Sequence, residues 1–525
     1  KPSRQDKSEL LDSYELEADD VVAKVEIRRY EKEYVPLYIL SRKEVSIALK
    51  AILETIKEEL IHEIDLSVRE FIDPSAYDRV KEKFRNKILT LMEKYLPYMD
   101  EKEKRYLSGI LLHEMLGLED IELLLNDANL EEIVVNGHKE PVWVYHKRFG
   151  WVKTNIWIES EEKIYNFASS IGRRVGRQIT NLNPLMDAHL PTGDRVNATL
   201  FPISTEGNTL TIRKFSRSPW TIIHFIEHKT LSKEVAAFLW MAIQYEMNIL
   251  VAGGTASGKT SMLNVLMPFM PANHRIISIE DTREINLPSF LHWVPFSSRE
   301  ANAEGKGAVT MLDLLVNSLR MRPDRIIIGE IRRKKEAEVM FEAIRTGHSA
   351  YATFHGDKAE EVFKRLINPP MDLPPSVLSA LHLIVVQFRH RRLGIRRTLE
   401  VAEIIPADEK STFNIIYRWN AKDDKIERIN KSYRIYEDIH LYTGMSEEEI
   451  EKELQTKIKI LEWMQRNRIK TINSVGKVVA EYYRDESYLM RFVNKPKLAE
   501  ADLQELLGDD IFKELQEYWS KEGAS

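Results

Sequence analysis

The chain has 525 residues, of which 43% are apolar and 30% charged, with a formal net charge of −6 at pH 7. That length allows several domains, each with its own core, and the charge excludes any global pull toward nucleic acid or anionic membrane, so a basic patch must be local. The absence of cysteine excludes disulfides, cysteine zinc sites and thiol catalysis, and fits an intracellular protein.

The first twenty residues, KPSRQDKSELLDSYELEADD, are polar and charged, unlike a signal peptide. Residues 1–25 are expected to be disordered or loosely packed, and 26–40 to hold a short strand or two. Helical periodicity follows over 44–64, 75–96 and 101–116, which predicts a mostly helical N-terminal domain over 1–118. From 130 to 155 the texture changes to β-rich runs broken by Asn-Gly and Pro. With a helix near 160–175 and strands at 195–201 and 208–215, an α+β module is expected over 119–217. The stretch SRSPWTIIHF carries a proline and little periodicity, so 218–230 reads as a hinge linker.

Between 231 and 430 short apolar strands alternate with helices, the pattern of a parallel sheet covered on both faces. The most apolar stretch, 235–254, contains Gln244 and Glu246 and then breaks into glycines. It is therefore not a membrane span, and any membrane role is expected through a partner. The last segment, 431–525, turns helical, with Ser446 and Glu449 placed as a capping box ahead of an apolar stripe.

The segment GGTASGKT at 253–260 fits G-x-x-x-x-G-K-[ST], with the strand NILVA before it and a helix after it. Glycines let backbone N–H groups turn inward around phosphates, and the helix N-terminus adds positive potential. Gly253, Gly254, Thr255, Ala256, Ser257 and Gly258 form the loop, and Lys259, Thr260 and Ser261 open the helix. Lys259 is expected to reach the β- and γ-phosphates of ATP, and the Thr260 hydroxyl to ligate Mg²⁺. Three further clusters end apolar strands: Glu280, Asp281 and Glu284 in ISIEDTREI, Glu330 in RIIIGEIR, and His348 with His355 in TGHSAYATFHGD. Ligands of a doubly wound sheet sit at the carboxyl ends of strands, so all three clusters are expected to converge on the phosphate loop. A carboxylate there can orient and deprotonate a water, or hold Mg²⁺ through water. A histidine can hydrogen-bond the γ-phosphate. The bland readings are helix caps or solvated turns for the acids, and a structural or metal-binding pair for the histidines.

The order of glycine loop, IEDTRE, GEIR and TGHSAYATFH resembles the secretion-superfamily ATPases, the hexameric motors of type II secretion, type IV pili and the archaellum. The resemblance covers about 120 to 406, and LTIRKFSR with RHRRLGIRRTLEVAEI is similar to the archaeal branch. It implies a RecA-like P-loop NTPase domain over 231–430, preceded by the helical N-terminal region and a PAS-like α+β module and followed by a helical C-terminal region. It also implies roles. Lys259 and Thr260 bind nucleotide and Mg²⁺, and Asp281 and Glu330 act on Mg²⁺ through water. A glutamate of the acidic box, Glu280 or Glu284, is the base, and His348 and His355 are sensors. Arg195 and Arg213 match arginines that the family's preceding domain directs at the γ-phosphate; otherwise each is a surface strand residue. The partners implied are copies of the same chain in a hexameric ring and a polytopic membrane platform, with the ATPase on the cytoplasmic face of the membrane.

Two departures bear on the branch. The Walker B strand offers only Glu330, as in this family, and the four-cysteine zinc module of many bacterial relatives cannot form. The basic run 389–397 is expected to tip a hairpin, either as a solvated loop or as a docking patch for an acidic surface or a membrane partner. It lacks interleaved aromatics, so direct nucleic-acid binding is not expected. The rival readings are a nucleic-acid translocase, a P-loop kinase and a nucleotide-gated scaffold with negligible turnover.

Overall fold

In the computed structural model, residues 8–63, 77–190, 193–215, 219–299, 301, 305–390, 392–406 and 412–523 are described. The chain forms two units, Lys1–Arg217 with Asn302–Lys306, and Ser218–Ala301 with Gly307–Ser525.

The first unit is built on β1 (Ser8–Ala18), β2 (Val21–Tyr30), β3 (Leu37–Arg42), β4 (Leu130–Asn136), β5 (Pro141–His146), β6 (Gly150–Trp157), β7 (Leu185–His189), β8 (Arg195–Thr199) and β9 (Thr209–Arg213). They form a single sheet in the order β1-β2-β3-β6-β5-β4-β9-β8-β7. Residues 8–25, expected to be loosely packed, instead pair as an antiparallel hairpin. The reason lies in β2, where Val21, Ala23, Val25 and Ile27 alternate with polar residues and are all buried. This period-2 pattern is hidden by the high charge of the segment. The helices Ile47–Glu63, Tyr77–Tyr95 and Glu101–Met115 follow the predicted spans. Their buried residues Leu53, Ile56, Ile88 and Leu111 share one core with Ile27, Ile133, Val144 and Ile164. The boundary expected at 118/119 therefore falls inside this unit, because strands and helices on both sides of it need the same partners.

The second unit carries β10 (Ile249–Gly253), β11 (Ile276–Glu280), β12 (Trp293–Ser297), β13 (Arg325–Ile328), β14 (Ser349–His355), β15 (Leu383–His390), β16 (Ile395–Ile405), β17 (Thr412–Asn420) and β18 (Lys425–Arg428). Their order is β12-β11-β13-β14-β10-β15-β16-β17-β18. The first six in that order run parallel, and β16 to β18 continue as an antiparallel meander. Successive residues of β10 enter different cores. Ile249 and Val251 pack with the helix Lys233–Gln244, while Leu250 and Ala252 pack with the helices Lys334–Arg345 and Ala359–Ile367. Helices thus cover both faces, the α/β architecture that the alternating pattern predicts.

The C-terminal helices belong to the same unit. Trp463, Val478 and Tyr482 join Trp240 and Phe269 in one core, and Trp240 stacks on Phe269 with ring centroids 5.0 Å apart. The capping box forms as expected, the Ser446 hydroxyl accepting the Glu449 N–H at 3.3 Å and the Glu449 carboxylate accepting the Ser446 N–H at 2.8 Å. Residues 219–230 are not a free linker. The helix Ile222–Glu227 buries Ile222, Ile223 and Phe225, and the Thr221 hydroxyl donates to the Lys470 carbonyl at 3.0 Å. Among the described residues no helix is long and apolar enough to cross a membrane.

Candidate active site

The strand β10 is central, with β14 on one side and β15 on the other. From β10 the chain travels to β11 and on to the edge strand β12, returns through β13 to β14, and then crosses to β15. That makes the carboxyl end of β10 a topological switch point, where a doubly wound sheet opens a crevice. Gly253 ends β10 in register with His355 of β14 and Gln387 of β15.

The loop 253–258 turns sharply. Gly253 has φ +153°, and a Cβ there would lie 2.4 Å from Ser257 Oγ and 2.5 Å from the Gln387 carbonyl oxygen. Glycine is required both by conformation and by space. At Gly254 the limit is close approach: a Cβ would lie 2.8 Å from Asp357 Oδ1. The buried Ser257 hydroxyl donates to the Gly254 carbonyl at 2.9 Å. Lys259, Thr260 and Ser261 open the helix Lys259–Leu266, so free N–H groups and the positive helix end point into the loop. Lys259 Nζ donates to the Gly254 carbonyl at 3.1 Å. Burial lowers its pKa, against the opposing charges of Glu330, Asp357 and Glu284.

Three neighbouring strand ends supply the acidic and basic groups. Glu280 closes β11 and is 1% exposed. Its Oε1 accepts the N–H groups of Glu284 at 2.8 Å and Ile285 at 3.0 Å, and Oε2 is buried without a hydrogen-bond partner. Burial pushes its pKa up to about 7, against the lowering effect of those two N–H donors. Glu280 therefore shapes the turn that carries Asp281 and Glu284. Asp281 accepts the Ser298 hydroxyl at 2.8 Å. Glu330 follows β13, half-buried. Asp281 and Glu330 are bridged by Arg332, whose Nη1 lies 2.6 Å from Asp281 Oδ2 and whose Nε lies 2.8 Å from Glu330 Oε2. Two carboxylates held by one guanidinium are close enough to share a cation, and with the Thr260 hydroxyl they are the hard oxygen donors that Mg²⁺ prefers.

The two histidines separate. His355 ends β14 beside Gly253. His348 precedes β14 at the opposite edge, where its Nδ1 lies 3.1 Å from the Ala343 carbonyl and 3.2 Å from Thr346 Oγ1. A seven-residue strand spans about 20 Å at ~3.3 Å per residue. The expected convergence of both histidines on the phosphate loop therefore fails for His348, and the pair cannot share a metal ion.

In the first unit Arg195 and Arg213 are directly opposed on β8 and β9. Arg195 is paired with Asp187, Nε to Oδ1 at 3.1 Å, and Arg213 stands opposite Glu132 of β4.

Three residues at the loop and the strand ends beside it escape a motif reading. Asp357 lies two residues past His355. Arg332 lies inside the quoted GEIR but draws no role from its position there. Arg396 belongs to the basic run and donates through Nε to the carbonyl of Ala256 at 3.2 Å, where Ala256 holds φ +58°. The run tips the hairpin of β15 and β16, as expected. Its Arg397 is turned inward, bound to Asp424 at 2.7 and 2.8 Å and to the His228 carbonyl at 3.0 Å. The signal for Asp357 and Arg396 was available only as polarity next to a strand end.

A glycine loop at the switch point of a parallel sheet, with acids at the adjacent strand ends, is the geometry of a P-loop domain. The comparisons narrow this to a family. The chain belongs to the type II/IV secretion system protein family, whose model matches residues 119–484. It is 33% identical over 424 residues to an uncharacterized protein of Methanocaldococcus jannaschii, covering 79% of this chain and 74% of that one. It is 30% identical to the type IV secretion system protein PtlH of Bordetella pertussis, over 53% of this chain and 91% of PtlH. Among solved structures, the VirB11 ATPase of the Brucella suis type IV secretion system matches at 26% identity and a TM-score of 0.27, over 53% of this chain and 93% of that one.

Proposed function

We propose that this chain is the Mg-ATP-hydrolysing motor subunit of a type II/type IV secretion-like machine. It drives assembly of pilin-like filaments, or protein export, from the cytoplasmic side of a membrane platform. The observation that carries the reading is the half-buried Lys259 ammonium, seated in a glycine loop at the switch point and faced by Glu330, Asp357 and Glu284. Family membership supports it.

In this reading the N–H groups of the loop, Lys259, Thr260 and Ser261 bind the phosphates of ATP. Thr260, Asp281 and Glu330 hold Mg²⁺, the last two through water; the ion, when bound, neutralises phosphate charge. Glu284 orients and deprotonates the attacking water. Glu280 is the less favoured base, because its Oε1 is committed to two backbone N–H groups and its Oε2 is buried away from solvent. His355 hydrogen-bonds the γ-phosphate. Arg195 and Arg213 neutralise charge that develops in the transition state, and Arg195 must first leave Asp187. The working form is a ring of identical chains, six in the reading the family suggests, attached to the membrane through a polytopic partner.

The test is specific Mg-ATPase activity against protein concentration, without DNA, with Lys259→Ala as the blank. Activity that rises and then levels supports a motor that assembles to work. Activity no greater than the blank removes the enzyme reading in favour of a nucleotide-gated scaffold, and strong stimulation by added DNA favours a translocase.

A further inference from the structure

The carboxylates assigned to Mg²⁺ in that reading are engaged by a group with no role in it. Asp281 follows β11 and Glu330 follows β13, and these strands are neighbours with Ile279 opposite Ile328. Two acids so placed repel each other unless a cation lies between them. The Arg332 guanidinium lies between them, with Nη1 on Asp281 Oδ2 at 2.6 Å and both Nε and Nη2 at 2.8 Å from Glu330 Oε2.

Its backbone and its side chain are held very differently. The Arg332 N–H donates to Glu336 Oε2 at 2.9 Å, and the Arg333 N–H to the same atom at 3.0 Å. The start of the helix Lys334–Arg345 thus anchors the main chain. The Arg332 side chain is 56% exposed, so solvent can receive the guanidinium when it lets go. Lys259 does not take its place, since Nζ is bonded to the Gly254 carbonyl.

We propose that Arg332 is a positioning residue: its guanidinium holds Asp281 and Glu330 in register and gives them up when a divalent cation is bound between them. A guanidinium and a hydrated dication seek the same oxygen lone pairs, and their like charges oppose joint occupancy. Exchange between them is cheap because exposed ion pairs are weak. The arginine thereby keeps the acids together before the cation comes, and raises the Mg²⁺ concentration at which the cation can bind. The inference rests on the nucleotide-binding reading above.

The test is binding of a fluorescent ATP analogue to the full chain, titrated with Mg²⁺ from an EDTA-treated start, for wild type, Arg332→Gln and Arg332→Lys. Losing the two ion pairs should lower the half-saturating Mg²⁺ concentration of Arg332→Gln roughly three- to tenfold. Arg332→Lys, a point charge without the planar fork, should fall between. A merely structural arginine would change the melting temperature of both variants and leave the Mg²⁺ midpoint alone. Midpoints equal to wild type in both variants, with binding still dependent on Lys259, overturn this proposal and leave the nucleotide site standing. No Lys259-dependent binding in any form overturns the nucleotide reading, and this proposal with it.

Discussion

Substituting Glu280 by Gln should stabilise the protein at pH 8 and leave it nearly unchanged at pH 4.5. Glu280 is buried, and its pKa rises from 4.5 to about 7, chiefly through desolvation. Because the folded-state value lies above the unfolded one, the favourable contribution of the neutral acid is complete below pH 4.5. It is lost as pH rises through 7. The shift of about 2.5 pH units corresponds to ~3 kcal/mol at ~1.36 kcal/mol per unit. Glutamine keeps an oxygen to accept the Glu284 and Ile285 N–H groups and carries no charge to desolvate. Thermal melts of wild type and Glu280→Gln from pH 4.5 to 8.5 test this, at about 2–4 °C per kcal/mol for a domain of this order. The gap should open between pH 5 and 7 to several degrees in favour of the variant. Glu280→Ala, which leaves both N–H groups without an acceptor, should be less stable than wild type at pH 4.5 by about 1–3 kcal/mol per lost bond, a deficit that removal of the buried charge offsets at pH 8. A variant Glu280→Gln no more stable than wild type at pH 8, or a gap independent of pH, refutes the assignment of Glu280 to the turn as a strained buried acid.

Other expectations follow from the same geometry. Gly253→Ala places a Cβ 2.4 Å from Ser257 Oγ and 2.5 Å from a backbone carbonyl; calorimetric titration should find ATP binding weakened about tenfold or more. Arg397→Ala removes a guanidinium that is 6% exposed from a bidentate pair with Asp424, and urea unfolding should show a loss of about 2 kcal/mol, discounted because Asp424 is partly solvated. Hydrogen bonds from Arg397 hold the Asp424 pKa near 2, so the wild-type advantage over Arg397→Ala should be present above pH 3.8 and fade as pH falls toward 2. His355→Ala should lower kcat roughly tenfold or more with KM little changed, whereas His348→Ala, at the far edge of the sheet, should keep kcat within about twofold. Equal losses from the two histidines would contradict the placement.

The phosphate loop was legible because its chemistry is local: glycines, a lysine and a hydroxyl within nine consecutive residues, framed by a strand and a helix. Glu280, Glu284, Glu330 and His355 were legible one step further out, since parallel strands present their carboxyl ends along one edge. The same rule misplaces His348. A motif of adjacent letters spans a whole strand, and its first histidine emerges on the other side of the sheet. Arg332, Asp357 and Arg396 were not assigned because side-chain reach is invisible in spacing. Arg332 meets Asp281 across 51 positions, and Arg396 meets the loop across 140. The hairpin of β1 and β2 was missed because high charge outweighed a clean alternation of four buried residues. The packing of residues 219–230, inside the 218–230 stretch that reads as a hinge linker, is invisible in the sequence because its partners, Lys470 and Tyr518 among them, lie far along the chain.

Whether nucleotide phosphates are held at Lys259 is decided by equilibrium binding of radiolabelled ATP, in Mg²⁺, to wild type and Lys259→Ala. Wild type should bind saturably at one site per chain, and the variant should bind about a hundredfold more weakly, having lost a charge-assisted contact at a partly buried site. Equal binding by the two proteins, or none by a wild type that melts as a folded protein, would contradict a phosphate site at Lys259.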